Sequence, residues 1–254
     1  MKILKTIFWR DFKSISLSPF FTLMMTLVAM LWSFQFIRGM VDFSYKSTSP
    51  ANMGLYRPSI NEFVFLSHYS LTNMVLIFLI PIFTMRLLSS EKKDQTIALL
   101  MTAPIGSWQI CLGKFLAGLG ITFWVLVLSA IYPLVTFFWV NPDLTLILWS
   151  YVGLFFLASC YVSIGLFCSA LSSSLILSVS ASVVLNISLW FLSQGVLISD
   201  GGVLTSVIQY LSVSEHLFSF LQGMFKLSSF SFFISVSGLF LFFSYGMIDS
   251  YRWR

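Results

Sequence analysis

Continuous hydrophobic runs of about 20 residues alternate along this chain with shorter polar connections. Runs of that length match the thickness of a bilayer when they form α-helices. A transmembrane β-barrel is disfavoured, because its strands would be shorter and would alternate in polarity. The pattern predicts an all-α polytopic membrane protein with six transmembrane helices, near residues 19–38, 69–89, 110–138, 146–170, 175–198 and 228–248.

The stretch from Leu144 to Ser199 contains no charged residue over 56 positions. It is too long for one span and fits two spans joined by a reversal at Ser172–Ser174. Its serines, from Ser169 to Ser182, suit either a polar pathway or close packing between helices, and we favour packing. Small residues in the third span, such as Gly113 and Gly118, are typical of closely packed helices.

Residues 1–18 predict an amphipathic helix that lies in the headgroup layer. Ile3, Leu4, Ile7 and Phe8 recur at helical spacing, and basic residues fill the gaps between apolar positions. A secretory signal would have one uninterrupted apolar core and a small-residue cleavage site. We therefore expect this helix to be retained.

The polar segments between spans are predicted to be connections. Residues 39–67 are too short for a separate domain, and residues 200–227 suggest short surface helices. His68 and His216 fall in segments predicted to lie outside, where an isolated histidine is more often interfacial than a metal ligand.

The segment from Met85 to Gly113 is the one place where a charge cluster interrupts the apolar runs. Periodicity predicts a helix over residues 91–104, with Ile97, Leu100, Met101 and Pro104 on one face. Glu91 and Asp94 would fall in its first turn, where carboxylates favour the helix dipole, and Pro104 would end it. Lys114, at the start of the third span, is expected to snorkel towards the interface, with an ion pair to Glu91 or Asp94 as the alternative.

Composition agrees with a membrane protein. Hydrophobic residues make up 58% of the chain and charged residues 9%, against about 25% charged residues in soluble domains. Placing both termini in the cytoplasm puts ten of the fourteen lysines and arginines inside: Lys2, Lys5, Arg10, Lys13, Arg86, Lys92, Lys93, Lys114, Arg252 and Arg254. Four are then outside: Arg38, Lys46, Arg57 and Lys226. This bias predicts the orientation and explains the basic charge better than nucleic-acid binding does.

The sequence contains no pattern typical of catalysis or of metal binding. Gly113–Lys114 lacks the upstream glycine and the following hydroxyl residue of a nucleotide-binding P-loop. The three cysteines, at positions 111, 160 and 168, suit a hydrophobic core rather than a redox site. No predicted span has an ionisable residue near its centre, which disfavours a proton- or sodium-coupled carrier. We therefore expect the driving force to come from another subunit.

Several features occur in an order that resembles the membrane subunit of ABC-2 type transporters. A basic helix ends at Ser18–Pro19, two spans follow, and Glu91-Lys-Lys-Asp-Gln-Thr96 then leads through Leu99–Leu100 and Ala103–Pro104 to Gly113–Lys114. The nearest subgroup is that of the gliding-motility-associated and nitrous-oxide-reductase maturation permeases. That family often has glycine before the threonine and an acidic residue two positions after it, where this chain has Gln95 and Ala98.

The resemblance implies one ABC-2 transmembrane domain over residues 1–254, with a cytoplasmic coupling helix that docks on a separate ATPase. Its implied contacts are Glu91, Lys92, Lys93, Asp94, Thr96, Ile97 and Leu100, with Lys5, Arg10 and Lys13 of the interfacial helix as a second contact. The chain itself would be non-catalytic and hold no cofactor, since the ATPase binds ATP and Mg²⁺. Two ATPase copies and a second identical or related permease are expected in the bacterial cytoplasmic membrane.

The resemblance leaves the substrate open, although the family mostly exports. Two alternatives to a transport function are a membrane anchor or energiser of an envelope machine, and an integral membrane enzyme. The alternative to a coupling helix over residues 91–104 is an ordinary basic loop that sets the topology.

Overall fold

The computed structural model describes residues 2–48, 59–96, 105–138, 142–195 and 203–251. Within these ranges the chain is helical, without a β-strand. The α-helices are α1 Lys2–Ser16, α2 Pro19–Thr48, α3 Leu66–Lys93, α4 Ser107–Val135, α5 Leu144–Leu171, α6 Leu175–Gly195, α7 Val203–Leu211, α8 Val213–Leu221 and α9 Leu227–Ser250. A π-helical turn, Asn61–Phe65, leads into α3, and a 3-10 turn, Thr136–Phe138, follows α4.

Six helices in the described ranges are long and apolar enough to cross a membrane, which confirms the predicted number: α2, α3 with its π turn, α4 with its 3-10 turn, α5, α6 and α9. The reversal between α5 and α6 lies at Ser172–Ser174. The predicted connection over residues 39–67 is wrong at both ends, because α2 continues to Thr48 and helix resumes at Ile60. Packing extends these helices: a Cβ at Gly39 would lie 3.6 Å from Cα of Val64, and Lys46 sits 4.1 Å from the Phe63 ring centre.

Helix α5 is the centre of the bundle and contacts α3, α4, α6, α8 and α9. Its inner residues, including Leu154, Leu157 and Tyr161, are fully buried. Helices α2 and α6 lie at the periphery and expose apolar side chains such as Met30 and Ile176. This distribution suits a bundle surrounded by lipid, where apolar surface needs no protein cover.

The short helices predicted over residues 200–227 are present as α7 and α8, but α8 is part of the core rather than of the surface. Phe220 is fully buried against Gly153 of α5, where an added Cβ would lie 2.5 Å from Cβ of Phe220. His216 is buried as well: it stacks on Phe232 at 4.2 Å and bonds to Ser229 Oγ at 3.1 Å. The apolar face of this helix is therefore covered by other helices of the bundle rather than by the membrane surface.

Helix α1 packs lengthwise on α4. Gly113 makes this approach close, since a Cβ there would lie 2.9 Å from Cγ2 of Ile7. Gly118 has a different partner, because a Cβ there would lie 2.6 Å from Cγ1 of Val162 on α5. The small residues of α4 thus bring helices together on two sides, as the sequence predicts.

Candidate functional site at the charged end of the bundle

Five helices meet at one end of the bundle, which we call the charged end. It consists of α1, the last turn of α3, the first turns of α4 and the final residues of α5 and α9. Ion pairs, hydrogen bonds and a cation–π contact join these elements. The charged stretch singled out in the sequence lies here.

Four side chains form an ionic cluster: Arg10 and Asp11 on α1, Glu91 on α3 and Lys114 on α4. Arg10 Nη2 lies 2.6 Å from Glu91 Oε1 and 2.7 Å from Asp11 Oδ1. Lys114 Nζ lies 2.8 Å from Glu91 Oε2 and 3.2 Å from Asp11 Oδ2. Each carboxylate therefore bridges both cations, and the formal charges sum to zero.

Lys114 is fully buried, so the prediction that it snorkels is wrong and the alternative ion pair to Glu91 is the one observed. Its ammonium group also donates to the carbonyl oxygen of Leu87. A buried cation is tolerated only when it is paired and hydrogen-bonded. The cluster meets that requirement by bringing two carboxylates and one carbonyl to a single nitrogen.

Arg10 closes the cluster on its solvent side, where half of its side chain remains exposed. Partial burial by itself lowers the pKa of Arg10, but the carboxylates of Asp11 and Glu91 outweigh that effect and raise the pKa. The guanidinium group is therefore a permanent charge that holds α1 to α3.

Lys92, next to Glu91, is buried and turns to other partners. It donates to the carbonyl oxygen of Ala170, at the end of α5, and to the Tyr251 hydroxyl at 3.0 Å. Its ammonium group also lies 4.2 Å from the centre of the Tyr251 ring, a cation–π distance. Nearby, Ser107 Oγ donates to Asp249 Oδ1 at 2.8 Å and joins α4 to α9.

The helix predicted to begin near Glu91 does not begin there. Glu91, Lys92 and Lys93 form the last turn of α3, and Asp94 caps its end. Gln95 then takes a left-handed conformation, with φ of 57°, and the Thr96 hydroxyl donates to the Glu91 carbonyl. The acidic residues suggested a helix start, but the two lysines equally suit a helix end, where cations favour the dipole.

The seven residues predicted to contact the ATPase differ in their exposure. Glu91 and Lys92 face the bundle, whereas Lys93, Asp94 and Thr96 are exposed, as is Gln95. Ile97 and Leu100 lie outside the described residues, with most of the predicted helix over 91–104. On α1, Lys5 and Lys13 are exposed, and Arg10 belongs to the ionic cluster.

Sequence reasoning missed two buried polar sites. Asp11 is the single acidic residue in the basic N-terminal helix, which was a signal for a specific ion pair. His68 was predicted to be interfacial, but it is fully buried and lies 2.9 Å from Ser129 Oγ. Ser129 Oγ in turn lies 3.0 Å from Thr72 Oγ1, so α3 and α4 share a polar contact far from the charged end.

The described residues also bear on the metal and thiol sites considered from the sequence. They contain no group of three or more His, Cys, Asp or Glu side chains that could hold a metal ion. The described cysteines, Cys111, Cys160 and Cys168, are buried free thiols. What the charged end can do chemically is hold helices together through paired charges beside an exposed, charged turn.

Two comparisons with known proteins bear on this arrangement. A family model described as ABC-2 family transporter protein matches residues 5–235, which is most of the chain. No curated protein matches the chain.

Proposed function

The chain belongs to the ABC-2 family transporter proteins, and we propose that it is a permease subunit moving a substrate across the cytoplasmic membrane with energy from a separate ATPase. Membrane domains of this family are in general non-catalytic and work with an ABC ATPase. The six apolar helices make the chain a multi-pass membrane protein. The order of motifs around Glu91–Thr96 supports assignment to the gliding-motility-associated and nitrous-oxide-reductase maturation subgroup.

The observation that carries the proposal is the exposed turn at the charged end. Lys93 is the last residue of α3, and Asp94, Gln95 and Thr96 follow it; all four are exposed and precede residues 97–104. We propose that this segment, over residues 91–104, is the coupling element on which the ATPase docks. Charged residues at the rim of an interface favour a partner of complementary charge.

The proposed assembly has two ATPase subunits and two permeases. One chain contributes six spans, and a second identical or related permease would complete the pathway. Both termini are assigned to the cytoplasm, because that orientation places ten of fourteen lysines and arginines inside. ATP and Mg²⁺ would be bound by the partner.

The decisive experiment is purification of the tagged chain from its native membranes in mild detergent, with mass spectrometry of the proteins that accompany it. We expect a P-loop ATPase in stoichiometric amount. Lys93→Glu should reduce recovery of the ATPase by about fivefold or more. The substitution would place a negative charge against the negatively charged ATPase surface that we expect Lys93 to meet. A chain that purifies without any ATPase would contradict the proposal.

The matched control is Lys226→Glu. Lys226 is exposed and precedes α9 at the opposite end of the bundle, so its reversal changes the net charge by the same amount. Recovery of the ATPase should be unchanged in this variant. Equal loss in both variants would indicate a non-specific charge effect and would count against a docking surface at Lys93.

A further inference from the structure

We propose that the charged stretch separates docking from transmission between adjacent residues: Lys93 and Asp94 meet the ATPase, whereas Glu91 and Lys92 transmit its movement into the bundle. The inference rests on the proposed function and refines it. It also reverses the sequence-based expectation that all four charges contact the partner. Glu91 and Lys92 are positioning residues, since they act through other helices.

Burial and contacts separate the two pairs. Lys93 and Asp94 are exposed, and neither takes part in an ion pair among the described residues. Lys92 is buried and Glu91 is half-buried, with both carboxylate oxygens in ion pairs. A partner protein could reach the inner pair only by breaking contacts that the bundle already makes.

The inner pair points to two different groups of helices. Glu91 pairs with Arg10 of α1 and Lys114 of α4. Lys92 contacts Ala170 at the end of α5 and Tyr251 just beyond α9. Successive side chains of an α-helix diverge by about 100°, so two adjacent residues can face opposite neighbours. One helical turn is thereby fastened to α1, α4, α5 and the end of α9.

These contacts suit transmission because they resist being separated. Breaking the Glu91–Lys114 pair would leave a fully buried ammonium group without one of its carboxylates, which is unfavourable. A displacement of the α3 end would therefore carry its neighbours along rather than slide past them. The exposed residues 93–96 take part in no ion pair within the described part of the chain, so their charged side chains are available to a partner.

The experiment uses the purified permease–ATPase complex in vesicles of phosphatidylethanolamine and phosphatidylglycerol. Two quantities are measured for each variant: recovery of the ATPase, and ATP hydrolysis per bound ATPase relative to the ATPase alone. Glu91→Gln and Lys92→Met should keep recovery within about twofold but change permease-dependent hydrolysis by about fivefold or more, the size of a typical coupling free energy. Lys93→Glu should reduce recovery of the ATPase by about fivefold or more but leave hydrolysis per bound ATPase within about twofold of normal.

Conservative variants distinguish transmission from general instability. Lys92→Arg keeps a cation over the Tyr251 ring and should restore normal hydrolysis, whereas Tyr251→Leu should resemble Lys92→Met because it removes both ring and hydroxyl. The melting temperature of every variant is measured, and hydrolysis is compared well below the lowest one. A change in hydrolysis at that temperature cannot come from unfolding.

The outcomes separate the two proposals. If Glu91→Gln and Lys92→Met lose the ATPase as strongly as Lys93→Glu, the inner pair belongs to the docking surface and the inference is overturned. Normal recovery with normal hydrolysis in both variants would overturn it as well. If no variant, nor the natural chain, retains an ATPase, the proposed function itself fails.

Discussion

At the scale of single residues, the charged end shows that an ionisable side chain near a membrane interface need not face water. Lys114 occupies the place where a lysine would usually extend towards the headgroups, yet two carboxylates hold it inside. The difference comes from Asp11 and Glu91, which neighbouring helices bring to the same nitrogen. Pairing turns a costly burial into a specific contact between α1, α3 and α4.

Replacing Lys114 by methionine should lower the free energy of unfolding by about 3 kcal/mol, since it leaves Asp11 and Glu91 with one cation instead of two. Unfolding in dodecyl sulfate titrations would measure the change. Lys13→Met, at an exposed position on α1, is the control and should shift stability by less than about 0.5 kcal/mol. The triple variant Asp11→Asn, Glu91→Gln, Lys114→Met should recover part of the stability that Lys114→Met loses. If the losses of the three single variants simply add up in the triple variant, the three side chains do not stabilise the protein through one another.

Gln95 provides a second test at the same scale. It follows α3 in a left-handed conformation, whereas the equivalent left-handed position after α8 is Gly223, with φ of 75°. A side chain in that conformation costs about 1–2 kcal/mol, so Gln95→Gly should stabilise the protein by about 1 kcal/mol. Gln95→Ala is the control: it keeps the Cβ, and its melting temperature should not rise.

At the scale of helices, close approach is decided by where α4 lacks side chains. Ile7 of α1 lies against Gly113, and Val162 of α5 lies against Gly118. The third span therefore has two packed faces, one for the N-terminal helix and one for the bundle centre. Van der Waals contact drives helix association inside a membrane, so lost proximity is a direct loss of stability.

Gly118→Ala should destabilise the fold by about 1–3 kcal/mol, because the new methyl group would lie 2.6 Å from Cγ1 of Val162 and force the helices apart. Gly238→Ala is the matched control, since a Cβ there meets no atom within 4 Å. The melting temperatures of the two variants, followed by size-exclusion chromatography after heating, would show the difference. Similar values for both would mean that α4 can shift away from α5 without cost.

At the scale of the whole molecule, the two ends of the bundle differ in chemistry. The charged end carries the ionic cluster and the exposed turn at residues 93–96, whereas Lys226 lies at the opposite end. We propose that the charged end faces the cytoplasm, because that orientation places ten of the fourteen lysines and arginines inside. The same orientation would place the proposed docking surface on the side where ATP is available.

Cysteine labelling would test that orientation. Asp94→Cys and Lys226→Cys place thiols at exposed positions on opposite ends, and the described native cysteines are buried and should react slowly. In cells whose outer envelope has been removed but whose cytoplasmic membrane is intact, a membrane-impermeant maleimide should label position 226 and not position 94. Labelling at position 94 should appear only after the membrane is opened. The reverse pattern would invert the proposed topology.

Much of the fold could be predicted from the sequence because the bilayer imposes simple rules. Length and polarity of the apolar runs gave six spans, and Ser172–Ser174 marks the observed reversal between α5 and α6. Helix ends were predicted less well. Hydropathy falls after Ile37, but α2 continues to Thr48 because packing against the residues before α3 supports it. Hydropathy measures the bilayer core, and helices extend beyond it wherever they find partners.

The sequence by itself determined that this is a six-span ABC-2 family protein with a charged segment after its second span, because hydropathy and motif order are local properties of the chain. Only the tertiary structure decided which charges face inward. Asp11 and Lys114 are 103 positions apart, and no pattern in the sequence indicates that they form a pair. Their pairing depends on α1 packing along α4 beside the end of α3, and that proximity separates Glu91 and Lys92 from the exposed Lys93 and Asp94.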